Sequence, residues 1–590
     1  MIQLIRENLK GKAIWGAVLA PLCMIVEVFM DLQQPTLMSN IIDIGVSSGD
    51  LNYVLNTGLR MLIYAVIGIG GGAGSAIAAN FAGFRMAERL RSKLFAHVFT
   101  LSAAEVDKLE TSSLITRLTN DVTQMQEMLV QLLRFMTRGP FMFIGGIIMA
   151  FLLSPKLALI LVAALPVILV FVLLIINKAI PLYTTVQQRM DGVNTSMRET
   201  LLGIRVVKSF TLEERQSERF EAVNTAYAET NIKAQKTTFL MTPINTLVMN
   251  LCVVAVLWFG GNMQINGSLR MGLIIAFVNY MVQITGSIMM LVNASMGIAR
   301  ARVSAERIIS VFKTSPSVTE TATPKAPATA DIEFDDVTFS YYGRRDAALK
   351  GTTSANSDSE AVLKNITLKI GQGKKVGIIG ATGCGKSTLA ALMARLYDPD
   401  RGTVRIGGVD VREISSEALR KKVGIVFQES LLFSGSIAEN LRFGAEYAEE
   451  SELSAASEAA QAGEFLRSLS DGYNAEVAQR GRNFSGGQKQ RLSIARSLLH
   501  NPEVLILDDS TSAVDAITDA KLREAISKRR GGQTLVIIAQ RIGSIIDCDE
   551  IIVMDSGKIT DTGSHKELLE KSELYRAIAV SQLGEEVLTR

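Results

Sequence analysis

The chain has 590 residues, too many for one hydrophobic core, so several domains are expected. Its 61 Lys and Arg against 58 Asp and Glu leave a formal net charge of +3, which gives no footing for nucleic acid. A hydrophobic content of 48% and a mean hydropathy of +0.26 suit a chain partly dissolved in lipid, and the scattered Cys23, Cys252, Cys384, Cys548, His97, His500 and His565 exclude a disulfide framework or a metal cluster.

The N-terminus carries Arg6, Lys10 and Lys12 ahead of an apolar run. It resembles a signal peptide only superficially, because the run continues to Met30 and no small-residue cleavage site ends it. Six windows are candidates to cross a bilayer: Ala13–Met30, Met61–Phe84, Gly139–Leu153, Leu157–Ile176, Phe239–Gly261 and Gly272–Leu291. The third must borrow flanking residues such as Phe135 and Met136. Arg85, Arg89, Arg91, Lys93, Lys108 and Arg117 lie between the second and third windows. Lys178, Arg189, Arg198, Arg205, Lys208, Arg215 and Arg219 lie between the fourth and fifth. The opposite loops carry almost no Lys or Arg, so the positive-inside rule predicts both termini in the cytoplasm.

The two basic connections, 85–136 and 178–236, read as long helices, with Leu114, Leu118 and Val122, and Val206 and Phe210, at helical spacing. Their tips are expected to touch the soluble domain. Within the spans, Glu27 and Asp31 share one helical face. Either Glu27 lines a pathway for a cationic or amphipathic substrate, or Asp31 marks the outer end of the first span. The glycines Gly68, Gly70, Gly71, Gly72 and Gly74 predict close helix packing, and Met281, Met289, Met290 and Met296 offer either an adaptable binding surface or, more simply, lipid or helix contact.

A charged helix over Arg300–Phe312 is followed by a Pro/Thr/Ala-rich linker. The predicted division is a membrane domain over 1–312, a linker over 313–330 and a soluble α/β domain over 331–590, interrupted by an insertion-like polar stretch, Arg344–Glu360. In that domain an apolar strand, Lys375–Ile379, leads into Gly380-Ala381-Thr382-Gly383-Cys384-Gly385-Lys386-Ser387-Thr388 and then a helical pattern over Leu389–Tyr397. This is G-x-x-x-x-G-K-S between strand and helix. The glycines let backbone N–H groups turn toward phosphates, Lys386 can reach the β- and γ-phosphates, and Ser387 can ligate Mg²⁺. The expected ligand is therefore a nucleoside triphosphate with Mg²⁺, and cytoplasmic termini place the loop where ATP is.

A second constellation lies downstream. Val504–Asp508 is a buried strand ending in a carboxylate suited to Mg²⁺. Ser485-Gly486-Gly487-Gln488 opens a helix, with Ser485 fitted to cap it and hold a phosphate. Gln428 follows the run Val423–Phe427 and could reach the metal or the water, and Tyr341 could stack on adenine.

With these motifs in order, the chain resembles the ATP-binding cassette (ABC) superfamily, specifically half-transporters of the exporter type. The resemblance implies an α-helical transmembrane bundle of six spans followed by an α/β P-loop nucleotide-binding domain. It identifies Gly380–Thr388 as the Walker A loop, Gln428 as the Q-loop, Phe484–Gln488 as the signature, Asp508 as the end of Walker B and Ser512–Asp515 as the D-loop. In that family two nucleotide domains pair head to tail, so a second half-transporter is implied.

Two positions depart from the pattern, and both belong to hydrolysis. Asp509 stands where the family has a catalytic glutamate, and Gln540 where it has a switch histidine. An Asp carboxylate reaches about 1 Å less far, and a misplacement of that size can cost about 10²-fold. Gln540 can donate a hydrogen bond but cannot shuttle a proton. The segment Glu476–Gly481 also departs mildly from the family's usual form. The resemblance therefore implies one half of a heterodimeric, multidrug-type exporter in the plasma membrane, acting on hydrophobic or amphipathic compounds. The alternatives are a homodimeric lipid or drug exporter and an ATP-gated membrane regulator. An importer would carry its nucleotide domain on a separate chain. A cargo-processing peptide exporter would need a protease domain ahead of the first span, where only Met1–Lys12 is expected.

Overall fold

The computed structural model describes residues 1–341, 361–529 and 531–585, so the polar stretch Arg344–Glu360 lies outside the described residues. The chain divides into two compact units, Met1–Ala96 with Leu114–Lys313 and His97–Ser113 with Thr314–Arg590.

The first unit is helical: α1 (Lys12–Asn40), α2 (Leu51–Thr100), then, after the short helix α3 (Ala103–Leu109) that belongs to the second unit, α4 (Val122–Leu153), α5 (Pro155–Leu202), α6 (Ile204–Ser209), α7 (Glu213–Phe239), α8 (Met241–Ile265) and α9 (Met271–Lys313). Among the described residues six helical stretches are long and apolar enough to cross a membrane: Lys12–Val46, Leu51–Thr100, Thr111–Leu153, Pro155–Leu202, Glu213–Ile265 and Met271–Leu291. Each contains one of the six predicted windows. With 50 residues in α2 and 48 in α5, these helices run far past the roughly 20 residues a bilayer needs. The polar connections are thus continuations of the spans, as their periodicity predicted. Trp15, Phe29, Ile69, Leu152 and Trp258 are among the exposed apolar side chains that a bilayer would cover.

Small residues set the helix contacts. A side-chain carbon on Gly71 would lie 2.8 Å from the Cys23 carbonyl and 3.1 Å from the Glu27 nitrogen, and one on Gly72 would lie 2.7 Å from the Glu27 carboxylate. Gly70, by contrast, meets nothing within 4 Å. The cluster does pack α2 on α1, through Gly71 and Gly72. Met281 is fully buried with Phe277 and Ile284 against Leu157 and Val256, and Met289 packs beside Ile168 and Met241. These two methionines are helix contact. The Met296 side chain lies outside the described residues.

The carboxylates of α1 share one partner. Arg138 of α4 pairs with both Glu27 and, at 2.9 Å, Asp31. The helix continues past Asp31 to Asn40, and Glu27 is held in this ion pair. Arg138 adjoins the third window and escaped notice as a flanking charge. Carboxylates four residues apart on one face present a single guanidinium with two partners, which compensates charge removed from water.

The second unit contains two main sheets, beside a short antiparallel pair, β7 (Gly435–Ser436) with β8 (Glu476–Val477). The six-stranded sheet has order β12-β11-β3-β10-β9-β6, with β3 (Lys375–Gly380), β6 (Val423–Val426), β9 (Val504–Asp508), β10 (Thr534–Ile538) and β11 (Glu550–Asp555) parallel and β12 (Lys558–Gly563) antiparallel at one edge. Every residue of β3, β9 and β10 is buried, as parallel strands covered on both faces require. The second sheet, β2-β1-β4-β5, is antiparallel and comprises β1 (Ile332–Phe339), β2 (Leu363–Ile370), β4 (Arg401–Ile406) and β5 (Val409–Asp410). Its residues Phe334, Val337 and Ile366 share one core with Val376, Ile378 and Leu389.

We expect Gly71→Ala to lower stability by about 1–3 kcal/mol through overpacking, while Gly70→Ala is neutral. Thermal unfolding of the two variants in the same detergent checks this, and equal melting temperatures would contradict the α1–α2 contact.

Candidate functional site

Strand register builds the site. Ile538 pairs with Ile378 on one side and with Asp508 on the other, so β10 and β9 end level and β3 runs two residues further in the same direction. The chain leaves β3 at Gly380, β9 at Asp508 and β10 at Ile538. Their continuations, 381–388, Asp509 and Ala539-Gln540, therefore emerge on one edge, where open α/β sheets bind ligands.

The loop after β3 wraps its own lysine. Lys386 is buried, and its Nζ donates to the carbonyls of Gly380 and Ala381, each at 2.8 Å, and approaches Cys384 Sγ at 3.7 Å. Gly385 has φ +101°, and a side-chain carbon there would lie 2.7 Å from Leu363 and 3.1 Å from the Val362 carbonyl. At Gly380 it would lie 2.1 Å from the Met554 carbonyl, whereas Gly383, at φ +83°, faces open space. Glycine at 380 and 385 thus lets the loop close against β11 and the start of β2, and the open face at Gly383 leaves its backbone free to approach a phosphate. The helix that follows, α10 (Lys386–Met393), is shorter than predicted, because Arg395 at φ +48° breaks it before Tyr397.

Ser387 Oγ donates to Asp508 Oδ1 at 2.9 Å. A hydroxyl and a carboxylate in contact are oxygen ligands of the kind Mg²⁺ takes alongside phosphate. Burial pushes the Asp508 carboxyl above its ordinary range; the Ser387 bond opposes this and the neighbouring Asp509 adds to it. A cation at this pair would favour the charged form.

Asp509 is the meeting point of three of the residues singled out in the sequence. Its Oδ2 accepts from Gln428 Nε2 at 3.2 Å and from Gln540 Nε2 at 3.0 Å. Its backbone nitrogen donates to the Ile538 carbonyl at 2.9 Å, and its φ of +44° is a conformation Asp tolerates better than most side chains. Burial raises its pKa, while Lys386, Arg541 and Gln540 pull it back. Gln428 is thus brought to Asp509, not to Ser387 and Asp508. Two amides grip a carboxylate as donors, and neither can accept and pass on its proton.

Ser485 caps α11 (Gly486–His500): Gln488 N donates to Ser485 Oγ at 3.3 Å and Ser485 N donates to Gln488 Oε1 at 2.8 Å. A side-chain carbon on Gly487 would lie 2.9 Å from the Ala513 carbonyl, and Gln490 bonds Ser512 Oγ and the Ala513 nitrogen. The Ser485–Gln488 turn therefore packs on the segment after β9, and its polar groups bond within the turn. Tyr341 is 45% exposed, its hydroxyl lies 3.0 Å from Thr388 Oγ1, and its ring meets Phe339 and Tyr397 edge-on. Sequence reasoning missed Tyr397 and Asp107, which join this aromatic group; an aromatic four residues past the helix carried no signal of its own.

We expect Gly385→Ala to weaken ATP binding by roughly tenfold or more, because the added carbon meets both a strained backbone angle and β2. Titration with a fluorescent ATP analogue checks it; unchanged affinity would show that the cradle is not the binding site.

Residues 17–288 match the family described as the ABC transporter transmembrane region, and residues 363–512 match the ABC transporter domain. The chain is 38% identical over 568 residues to the protein named "Uncharacterized ABC transporter ATP-binding protein YfiB" from Bacillus subtilis (strain 168), covering 96% of each. It is 35% identical over 588 residues to an uncharacterized ABC transporter ATP-binding protein of Mycobacterium tuberculosis (strain CDC 1551 / Oshkosh), covering 99% of this chain and 98% of that protein. Its fold matches the structure of a bacterial Atm1-family ABC exporter with ATP bound, with a TM-score of 0.77, 25% identity and coverage of 97% and 98%. A helical membrane-spanning region, a phosphate loop on a parallel sheet and these likenesses converge: the chain belongs to the ABC transporter family and has the architecture of an exporter, with transmembrane and ATP-binding domains fused in one polypeptide.

Proposed function

We propose that this chain is one half of a heterodimeric exporter and contributes the weaker of two ATP sites. The observation that carries the reading is the Gln428–Asp509–Gln540 cluster. Every group that would hold the nucleotide is present: the Gly380–Thr388 cradle with Lys386, the Ser387–Asp508 pair for Mg²⁺, and Tyr341 for the base. The group that would activate water is a short carboxylate held by two amides, with no imidazole beside it. Bound ATP–Mg²⁺ supplies the free energy of its terminal phosphoanhydride bond. The residues of this chain orient the phosphates and hold them without an efficient base.

The Ser485–Gln488 turn retains its cap and its packing, so it is fit to complete a site whose Walker residues come from a partner. Two apolar surfaces support an assembly of two chains. Ile204, Val206 and Phe210, at the second cytoplasmic turn, are exposed. On the soluble unit Phe427, Leu431, Phe433 and Phe443 are exposed around a groove of about 350 Å³. Seating the turn of one chain in the groove of the other would cover both.

The asymmetry of basic residues supports cytoplasmic termini and, with them, ATP access from the cytoplasm of a cell whose plasma membrane holds the transporter. The cargo class is hydrophobic or amphipathic, as the apolar helical region suits. Domain limits of 1–312, 313–330 and 331–590 frame the same reading.

Purified alone, the chain is expected to bind ATP yet hydrolyse it slowly, with Asp509→Glu combined with Gln540→His raising turnover by roughly 10- to 100-fold. Phosphate release by wild type and double variant checks this. Brisk hydrolysis by the wild-type chain alone would overturn the heterodimer reading.

A further inference from the structure

The stretch that carries Gln540 is hydrogen-bonded at two points beyond the sheet. After β10 the chain passes Gln540 and forms a single 3-10 turn, Ile542–Ser544. On one side the carboxamide of Gln582, on α13 (Glu573–Leu583), spans its backbone. Ile542 N donates to Gln582 Oε1 and Gln582 Nε2 donates to the Gln540 carbonyl, each at 2.8 Å. Gln582 itself is exposed to water. On the other side Ser544 Oγ donates to Asp519 Oδ2 at 3.1 Å, and this pair is buried, with Asp519 6% and Ser544 5% exposed. Asp519 lies in the first turn of α12 (Ala516–Arg529), the helix that follows Ser512–Asp515.

A buried carboxylate is a costly way to fill space. Arg523 Nε stands 3.3 Å from the same Asp519 oxygen, while Arg523 Nη1 lies 3.7 Å from Asp547. Asp519 Oδ1 is buried without a hydrogen-bond partner among the described residues. Leu522 and Ile526 of α12 and Ile542 and Ile545 of the turn belong to one apolar core with Leu535 and Ile537 of β10. An apolar side chain of similar volume would serve that core at less cost, since replacing a buried ion pair by hydrophobic residues is often neutral or stabilising. What the carboxylate adds is direction. A hydrogen bond sets the distance and angle at Ser544, whereas apolar contact tolerates a shift.

We propose that Asp519 and Ser544 are positioning residues that aim the Gln540 amide at Asp509. The placement rests on the reading of Asp509 and Gln540 as the hydrolytic end of the nucleotide site. Gln540 stands between β10, fixed by its register with β3 and β9, and Ser544, four residues on. With Ser544 bonded, both ends of this stretch are set, and Gln540 Nε2 meets Asp509 Oδ2 at 3.0 Å. With Ser544 released, the stretch keeps only the carboxamide of Gln582, where water competes for the same groups. A displacement of about 1 Å at Gln540 is then enough to cost roughly 10²-fold in rate. The buried bond, which water does not reach, is the one that holds the aim.

The test uses the full chain in nanodiscs, both as wild type and with Asp509→Glu plus Gln540→His. Phosphate release at saturating ATP, affinity for a fluorescent ATP analogue and amide hydrogen exchange over 540–545 are read for each. Ser544→Ala removes one oxygen. In both backgrounds it is expected to lower turnover about fivefold or more and to speed that exchange about threefold or more, while affinity stays within about twofold. Ser544→Thr keeps the hydroxyl and is expected to restore turnover and exchange together. Asp519→Leu fills the space without an acceptor and is expected to match Ser544→Ala, the two together adding nothing further. Should Asp519→Leu fail to fold, the two Ser544 variants decide. Unchanged turnover in Ser544→Ala or in a folded Asp519→Leu, or a loss that Ser544→Thr does not restore, would overturn the positioning. Turnover and affinity falling together would mark a merely structural contact and overturn it as well. If Asp509→Glu with Gln540→His fails to raise turnover, the weak-site reading falls, while the Ser544 comparison in the wild-type chain still decides the positioning.

Discussion

The parallel pairing of β3, β10 and β9 is the constraint on which the rest depends. Because Ile538 stands level with Ile378 and Asp508, three turns leave the sheet at one edge and bring Lys386, Ser387, Asp508, Asp509 and Gln540 within reach of one another. A shift of one residue in any of these pairings would turn each following side chain to the other face. The burial of every residue in the three strands, on both faces, holds the register. The same edge gives the site its asymmetry of purpose. On the proposed reading, grip comes from the backbone of 380–388, from Lys386 and Ser387 at the start of α10 and from Asp508 at the end of β9, whereas the chemistry falls to Asp509 and Gln540 just past the strand ends.

Much of this was legible in the sequence because the signals were local. The phosphate loop needs its glycines at fixed offsets between strand and helix, and Gly380 and Gly385 occupy positions where any side chain would collide. The spans announced themselves by length and apolarity, and their polar extensions by helical spacing. The cap at Ser485 followed from residue type and offset, and the Ser485–Gln488 capping box is formed.

What stayed hidden depends on contacts between residues far apart in the chain. Arg138 reads as a basic residue flanking a span, and only the packing of α4 on α1 pairs it with Glu27 and Asp31. The bonds from Gln428 and Gln540 to Asp509 join three separate loops, so the sequence could name all three residues without pairing them. Tyr397 and Asp107 are 290 positions apart, and neither belongs to a motif. The end of α10 at Met393 was also invisible, because the apolar pattern runs on to Tyr397 while the backbone turns left-handed at Arg395.

On the proposed reading, a cradle for ATP and a carboxylate held by two amides make a site that retains its ligand. The most direct measurement of that reading is the fate of the nucleotide on this chain during active transport alongside the proposed partner. Membranes would be supplied with azido-ATP labelled at either the α- or the γ-phosphate, then illuminated. Equal labelling of this chain by the two probes, with the partner keeping only the α label, is the expected result. Loss of the γ label from this chain as quickly as from its partner would contradict a retaining site.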